Sequence, residues 1–150
     1  MDMEVIKSLF GDAISQLSIN RGQAVVLVQS ARLHHVLKAC KDDPRLQFDL
    51  LLDVVGVDFL GQRPRFEVVY HLYCHERKQR LRLKCRISGE RPEIASVVSV
   101  WSSANWYERE VFDLFGIRFL NHPDLTRILM PQDWEGYPLR KDYPITGSRV

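Results

Sequence analysis

The sequence predicts an α+β fold: a two-layer single domain with a mixed sheet containing a hairpin, flanking helices, and an extended proline-rich C-terminal tail. Three observations carry this. Apolar residues recur at helical spacing in several stretches of residues 1–119. Two segments, Arg65 to His75 and Gln79 to Ser88, alternate strictly and are joined by a short polar turn. Residues 120–150 hold Pro123, Pro131, Pro138 and Pro144, too many for a helix or a central strand.

The elements follow in order. Val5, Ile6, Leu9, Phe10, Ala13, Ile14 and Leu17 predict a helix over residues 3–18, stopped by Asn20 and Gly22. Residues 23–28 form an apolar, β-branched run and read as a buried strand. Ser30 is placed to cap a helix reaching Lys41, with Leu33, Val36, Leu37 and Cys40 on its inner face. Residues 48–59 are ambiguous: Leu50 to Leu52 permit a helical turn, and Val54, Val55 and Val57 around Gly56 favour a strand after it.

In the hairpin, Phe66, Val68, Tyr70, Leu72 and Cys74 share a face with Leu81, Leu83, Cys85 and Ile87. Arg80, Arg82, Lys84 and Arg86 point the other way. Pro92 suits the first position of a helix running to Trp101. Asn105 and Glu108 have the spacing of a capping box for a last helix, which carries Tyr107, Val111, Leu114 and Phe115 as its stripe and ends at Gly116.

Composition narrows the function classes. The chain has 150 residues and a formal net charge of +2, enough length for one core and too little charge to argue for a polyanion partner. Cys40, Cys74 and Cys85 make an odd count without CxxC spacing, which argues for a reducing compartment and against a cluster or zinc knuckle. The first ten residues include Asp2 and Glu4 and lack a leader pattern. No apolar run approaches the ~20 residues that span a bilayer.

Candidate sites are sparse. His71 and His75 share one strand face while Cys74 faces away, so a tetrahedral metal set does not converge. The basic stripe of residues 80–86 reads as a solvated sheet face or as a grip for an acidic surface. Arg109 and Asp113 have the spacing of a helix-surface ion pair. His122 and Tyr137 are isolated protic side chains with no paired base, and no glycine-rich phosphate loop is present. The tail is too rich in Leu, Ile, Met, Trp and Tyr for a disordered linker, so it is expected to gain its order by lying on another protein.

The tail carries more. Residues 108–117 read EREVFDLFGI; HPDL follows at 122–125, and RILMPQDWEGYPLRKDYP at 127–144. About forty residues together closely resemble the signature of the 30-kDa subunit family of respiratory complex I, which is the family of the C subunit of bacterial NADH:quinone oxidoreductases. Residues 1–105 resemble it only in general character.

The resemblance implies a peripheral-arm subunit without flavin, iron–sulfur cluster or quinone of its own. FMN and iron–sulfur clusters would sit in partner subunits, and the arm would lie on the cytoplasmic face of the inner membrane. The chain would pack beside the 49-kDa-type quinone-site subunit and near the terminal-cluster subunit, with residues 1–119 as the domain and 120–150 as its partner-binding tail. Glu108, Arg109, Asp113, His122, Arg127, Trp134, Tyr137, Arg140, Lys141 and Asp142 are the interface candidates; no catalytic residue is implied. Related subunits of membrane-bound hydrogenases and ferredoxin-linked complexes are the alternative.

Overall fold

The computed structural model describes residues 3–147; the first two residues and the last three of the predicted tail lie outside the described residues. Its elements are α1 (Met3–Phe10), β1 (Ile14–Asn20), β2 (Gln23–Val28), α2 (Leu33–Asp42), β3 (Leu50–Asp58), β4 (Phe66–Cys74), β5 (Gln79–Ile87), β6 (Glu93–Ala95), α3 (Ala104–Phe115) and β7 (Arg118–Leu120). Five strands form one sheet in the order β1-β2-β5-β4-β3, and β6 and β7 form a small second ladder. The β2–β5 pairing is parallel and the other three in the large sheet are antiparallel, which makes it mixed as expected.

Alternation places the core. Phe66, Val68, Tyr70 and Leu72 on β4 and Leu81, Leu83 and Cys85 on β5 are fully buried, together with Leu33, Val36, Leu37 and Cys40 of α2. Burial pushes the Cys40 and Cys85 thiols up to about 12, so both stay protonated as small apolar side chains.

Four expected elements turn out differently. The helix expected over 3–18 stops at Phe10, and a 3₁₀ turn at Gly11–Ala13 leads into β1. Residues 14–20 instead alternate Leu17 and Ile19 with Gln16, Ser18 and Asn20, and pair with β2 across a two-residue turn. Arg21 and Gly22 in that turn both have positive φ, +50° and +77°, as a twist-matched hairpin requires. Residues 30–32 form a 3₁₀ turn before α2, with no side-chain cap from Ser30.

Residues 50–58 are strand throughout, with a bulge between Leu51 and Asp53 that absorbs the helical-looking leucines. Helix α3 lies against this strand at Gly56, where a Cβ would come 2.7 Å from Phe115. The helix expected from Pro92 to Trp101 is instead the strand β6 and one tight turn, because residues 93–95 pair with 118–120.

Helix α3 ends as expected at Gly116, with φ +71°. Its start differs: Ala104 is the first helical residue, and the preceding Ser103 makes no capping bond. Glu108 is turned inward rather than capping, accepting Ser96 Oγ at 2.6 Å and the Val97 N–H at 2.7 Å. Burial pushes its carboxyl up to about 7, against the lowering effect of those two bonds. Its neighbours include His122 Nε2 at 4.0 Å; burial raises the Tyr70 hydroxyl, and the Glu108 charge adds to this.

Because Glu108 titrates near 7 when folded and near 4.5 when free, the folded chain holds a proton between those values that the unfolded chain has released. This contribution to stability is complete below about 4.5 and is lost as the pH rises through about 7. Glu108→Gln should therefore remove a destabilisation on the order of 3 kcal/mol at pH 8. Thermal melts from pH 5 to 8 check this: the fall in Tm across that range should be shallower in the variant than in the parent chain.

Candidate functional site

The distinctive site is the seam where residues 121–147, which contain neither helix nor strand, lie on α3 and on the end of the β3–β4 hairpin. Two carboxylate–guanidinium clusters hold it.

The first is centred on Asp113, whose side chain is fully buried. One of its oxygens accepts Arg127 Nη1 at 2.7 Å. The other accepts three successive backbone N–H groups, from Ile128, Leu129 and Met130, at 3.1, 2.7 and 2.9 Å. Burial alone would raise this carboxyl, but the donors outweigh it and hold it below the usual range. Arg127 then reaches on, donating to the Trp134 and Gly136 carbonyls at 2.9 and 3.0 Å. A segment without regular structure thereby has its backbone groups satisfied by side chains.

The second cluster joins three distant parts of the chain. Arg65 makes a two-pronged pair with the buried Asp58, both contacts at 2.8 Å, and a second with Asp142 at 2.8 and 3.1 Å. Asp58 also accepts the Lys141 N–H at 2.9 Å. Hydrogen bonds from Arg65 hold the Asp58 and Asp142 carboxyls below their ordinary range.

Between the clusters, Arg140 stacks near the rings of Tyr137 and Phe66, at 4.7 and 5.1 Å, and donates to the Phe115 carbonyl at 2.6 Å. Gly116 makes room for this: a Cβ there would lie 2.5 Å from Tyr137 and 2.6 Å from Arg140.

The ten candidate residues thus divide. Glu108, Asp113 and His122 have side chains enclosed by the chain's own atoms, where they shape the tail. Arg109 does not pair with Asp113 as its spacing suggested; it donates to Thr126 and to the Arg127 carbonyl. Arg127, Tyr137 and Arg140 are half-buried in the seam, and so is Trp134. Lys141 and Asp142 are exposed, Asp142 being tied to Arg65.

The expectation that only a partner orders the tail is corrected by these contacts, which come from the chain's own domain. Sequence reasoning missed Arg65 and Asp58, since no spacing links them to Asp142 and Lys141, 77 and 83 positions away. It also passed over Trp106 and Leu129, apolar side chains that stand 66% and 62% exposed around the seam, where Leu139 is 52% exposed.

Among the described residues no three His, Cys, Asp or Glu side chains converge where a metal could sit. Cys74 and Cys85 face the core, while His75 is paired with Asp49. Among the described residues no helix is long and apolar enough to cross a membrane.

Residues 26–149 match the family described as the respiratory-chain NADH dehydrogenase 30-kDa subunit. The chain belongs to that family. It is 45% identical over 148 residues to the C subunit of the NADH-quinone oxidoreductase of Roseiflexus sp., covering 99% of this chain and 85% of that one. With the corresponding C subunit of Geobacter sulfurreducens the identity is 48% over 143 residues, covering 95% and 87%.

Among solved structures, the trypsin-resistant fragment of Nqo5 superimposes with a TM-score of 0.72 at 31% identity, over 82% of this chain and 98% of the fragment. The archaeal membrane-bound sulfane sulfur reductase contains a chain that superimposes with a TM-score of 0.80 at 25% identity, over 95% and 85%. As a 30-kDa-type chain, the protein is a subunit of a multisubunit oxidoreductase of the complex I type.

Asp113→Asn should strip the first cluster of its charge and leave Arg127 half-buried without a counterion, at a cost of ~3 kcal/mol. Limited trypsin digestion provides the check. The parent chain should be cut slowly after Arg127 and Arg140, and the variant should be cut there first, before the sheet is attacked. Equal rates in both would mean that the seam does not hold the tail.

Proposed function

We propose that the chain is a non-catalytic peripheral-arm subunit of a proton-translocating NADH:quinone oxidoreductase. Electrons would pass from NADH through FMN and iron–sulfur clusters, all held by partner subunits, to quinone. The role of this chain is to support assembly of the quinone module, beside the 49-kDa-type subunit and near the subunit with the terminal cluster, on the cytoplasmic face of the inner membrane.

The observation that carries this reading is the seam itself. It spends its buried charges on fixing an irregular belt, and the belt then presents Leu129, Leu139 and Ile145 outward. Apolar side chains on a shaped, rigid segment are what a subunit interface needs. Lys141, whose backbone N–H is held by Asp58 while its side chain is exposed, would meet a partner carboxylate, and Trp134 would serve as an anchor.

The likeness to the sulfane sulfur reductase chain favours a second reading, the equivalent subunit of a related membrane-bound complex such as a hydrogenase or a ferredoxin-linked enzyme. The electron donor separates the two. A tagged chain, expressed at its native level and purified in mild detergent, should bring down a complex containing flavin and iron that oxidises NADH with quinone. Activity with reduced ferredoxin or hydrogen alone would favour the second reading, and elution of the chain by itself would defeat both.

Leu139→Asp tests the interface directly, because the Leu139 N–H bond to the Leu114 carbonyl does not depend on the side chain. The variant should melt within a degree or two of the parent as an isolated chain. About tenfold less of it should enter the complex, as expected for a loss of ~1.4 kcal/mol. Quinone reductase activity per assembled complex should stay unchanged; a many-fold loss there would give the belt a direct part in the reaction.

A further inference from the structure

We propose that the helix-free face of the five-stranded sheet, centred on Arg80 and Arg82 of β5, docks an extended acidic segment of another subunit. The inference rests on the reading of the chain as a subunit of a larger complex, and adds a second surface with a partner chemistry of its own.

Three observations lead to it. The first is that the face is bare yet not built for water. The buried side chains of α1 and α2, and those of α3 against Gly56, pack on the opposite side. Register aligns Ser18, Val25, Arg82, His71 and Asp53 in one rung across all five strands, and Gln16, Leu27, Lys84, Val69 and Val55 in the next. A solvated antiparallel face is normally polar along its length. Here the basic strand is flanked by Val25 and Leu27 on one side and by Val69 and Val55 on the other, and Val55 stands 37% exposed.

The second observation is charge. Glu67, nearly enclosed, holds Lys84 at 3.2 Å and Arg86 at 3.0 Å. Arg80 and Arg82 form no ion pair among the described residues. Arg82 donates once, to Gln23 Oε1 at 3.2 Å, and its Nε–H is shielded from water with no acceptor. A guanidinium fixed in this way lacks the carboxylate that its fork is shaped to take. His71, facing Arg82 across the rung, is held below its usual range by burial and by that arginine, so at neutral pH it adds no charge.

The third is shape. Arg82, Lys84 and Arg86 face Gln16, Ser18 and Asn20 across an open groove of about 270 Å³. It is open to solvent, so side chains of an extended segment can enter it. Cations at alternate strand positions repeat every ~7 Å, the same pitch as alternate carboxylates on an extended partner segment. The described strand registers place two aromatic rings on this face, Tyr73 and His71, and neither lines the groove, which therefore lacks the run of stacking platforms of a single-strand nucleic-acid site.

A photo-cross-linking residue in place of Arg80 tests the inference in the purified complex. The expected product joins this chain to a segment of another subunit with two or more Asp or Glu at alternating positions. In parallel, the double variant Arg80→Glu/Arg82→Gln should lower the fraction of chain in the complex ~10-fold at low salt, with less difference at high salt and an unchanged melt. If the parent chain copurifies with the complex but links to lipid or to a segment without acids, the inference fails alone. Binding of the parent chain to phosphatidylglycerol vesicles, lost in Arg80→Glu, would assign the face to the membrane and overturn it. A chain that copurifies with no complex would defeat the earlier reading and this one with it.

Discussion

A buried carboxylate in the wrong place for its helix organises this protein. Asp113 sits in the last turn of α3, where the helix dipole disfavours a negative charge, and it is removed from water. Such a group survives only with a full set of donors, and the donors it has come from residues 127–130. The helix therefore needs the tail as much as the tail needs the helix. Four prolines remove backbone donors along residues 121–147, and Arg127, reaching from Asp113 to the Trp134 and Gly136 carbonyls, replaces part of the missing ladder.

The position of α3 is itself set by the sheet. Gly56 lets Val111 and Phe115 approach the β3 backbone, and Glu108 ties the helix to residues 96 and 97. The Arg65 cluster then fixes the far end of the tail to the β3–β4 hairpin, so the belt is held at both ends with Arg140 stacked between. Two polar anchors separated by aromatic packing make a stiff loop from residues that form no regular structure. A stiff loop loses less conformational entropy when a partner binds, which is the physical value of pre-ordering it.

For a subunit whose proposed task is assembly, this arrangement separates two jobs. Charges that look like chemistry are consumed internally, at Asp58, Asp113 and Asp142, and stay ionised because they are paired. Left on the outside are the apolar side chains of Leu129, Leu139 and Ile145 on the belt and, on the sheet, Arg80 and Arg82 without an ion pair among the described residues.

The sequence by itself determined the α+β class, the hairpin of β4 and β5, the inner face of α2, the end of α3 at Gly116 and, through the motif of residues 108–144, the family. All of these are local signals: period two, period three to four, a left-handed glycine, an unbroken motif. What tertiary structure decided was everything that depends on a distant partner. Residues 93–95 are strand because β7 offers them an edge. Glu108 leaves the cap that its spacing offered because buried donors at Ser96 and Val97 compete for it. Asp113 leaves Arg109, four residues away, for Arg127 and three N–H groups, since an exposed helix pair is worth far less than a satisfied buried one. Spacing along a chain reports neighbours within a turn or two, and the choice among competing partners is made only when the fold brings the distant ones within reach.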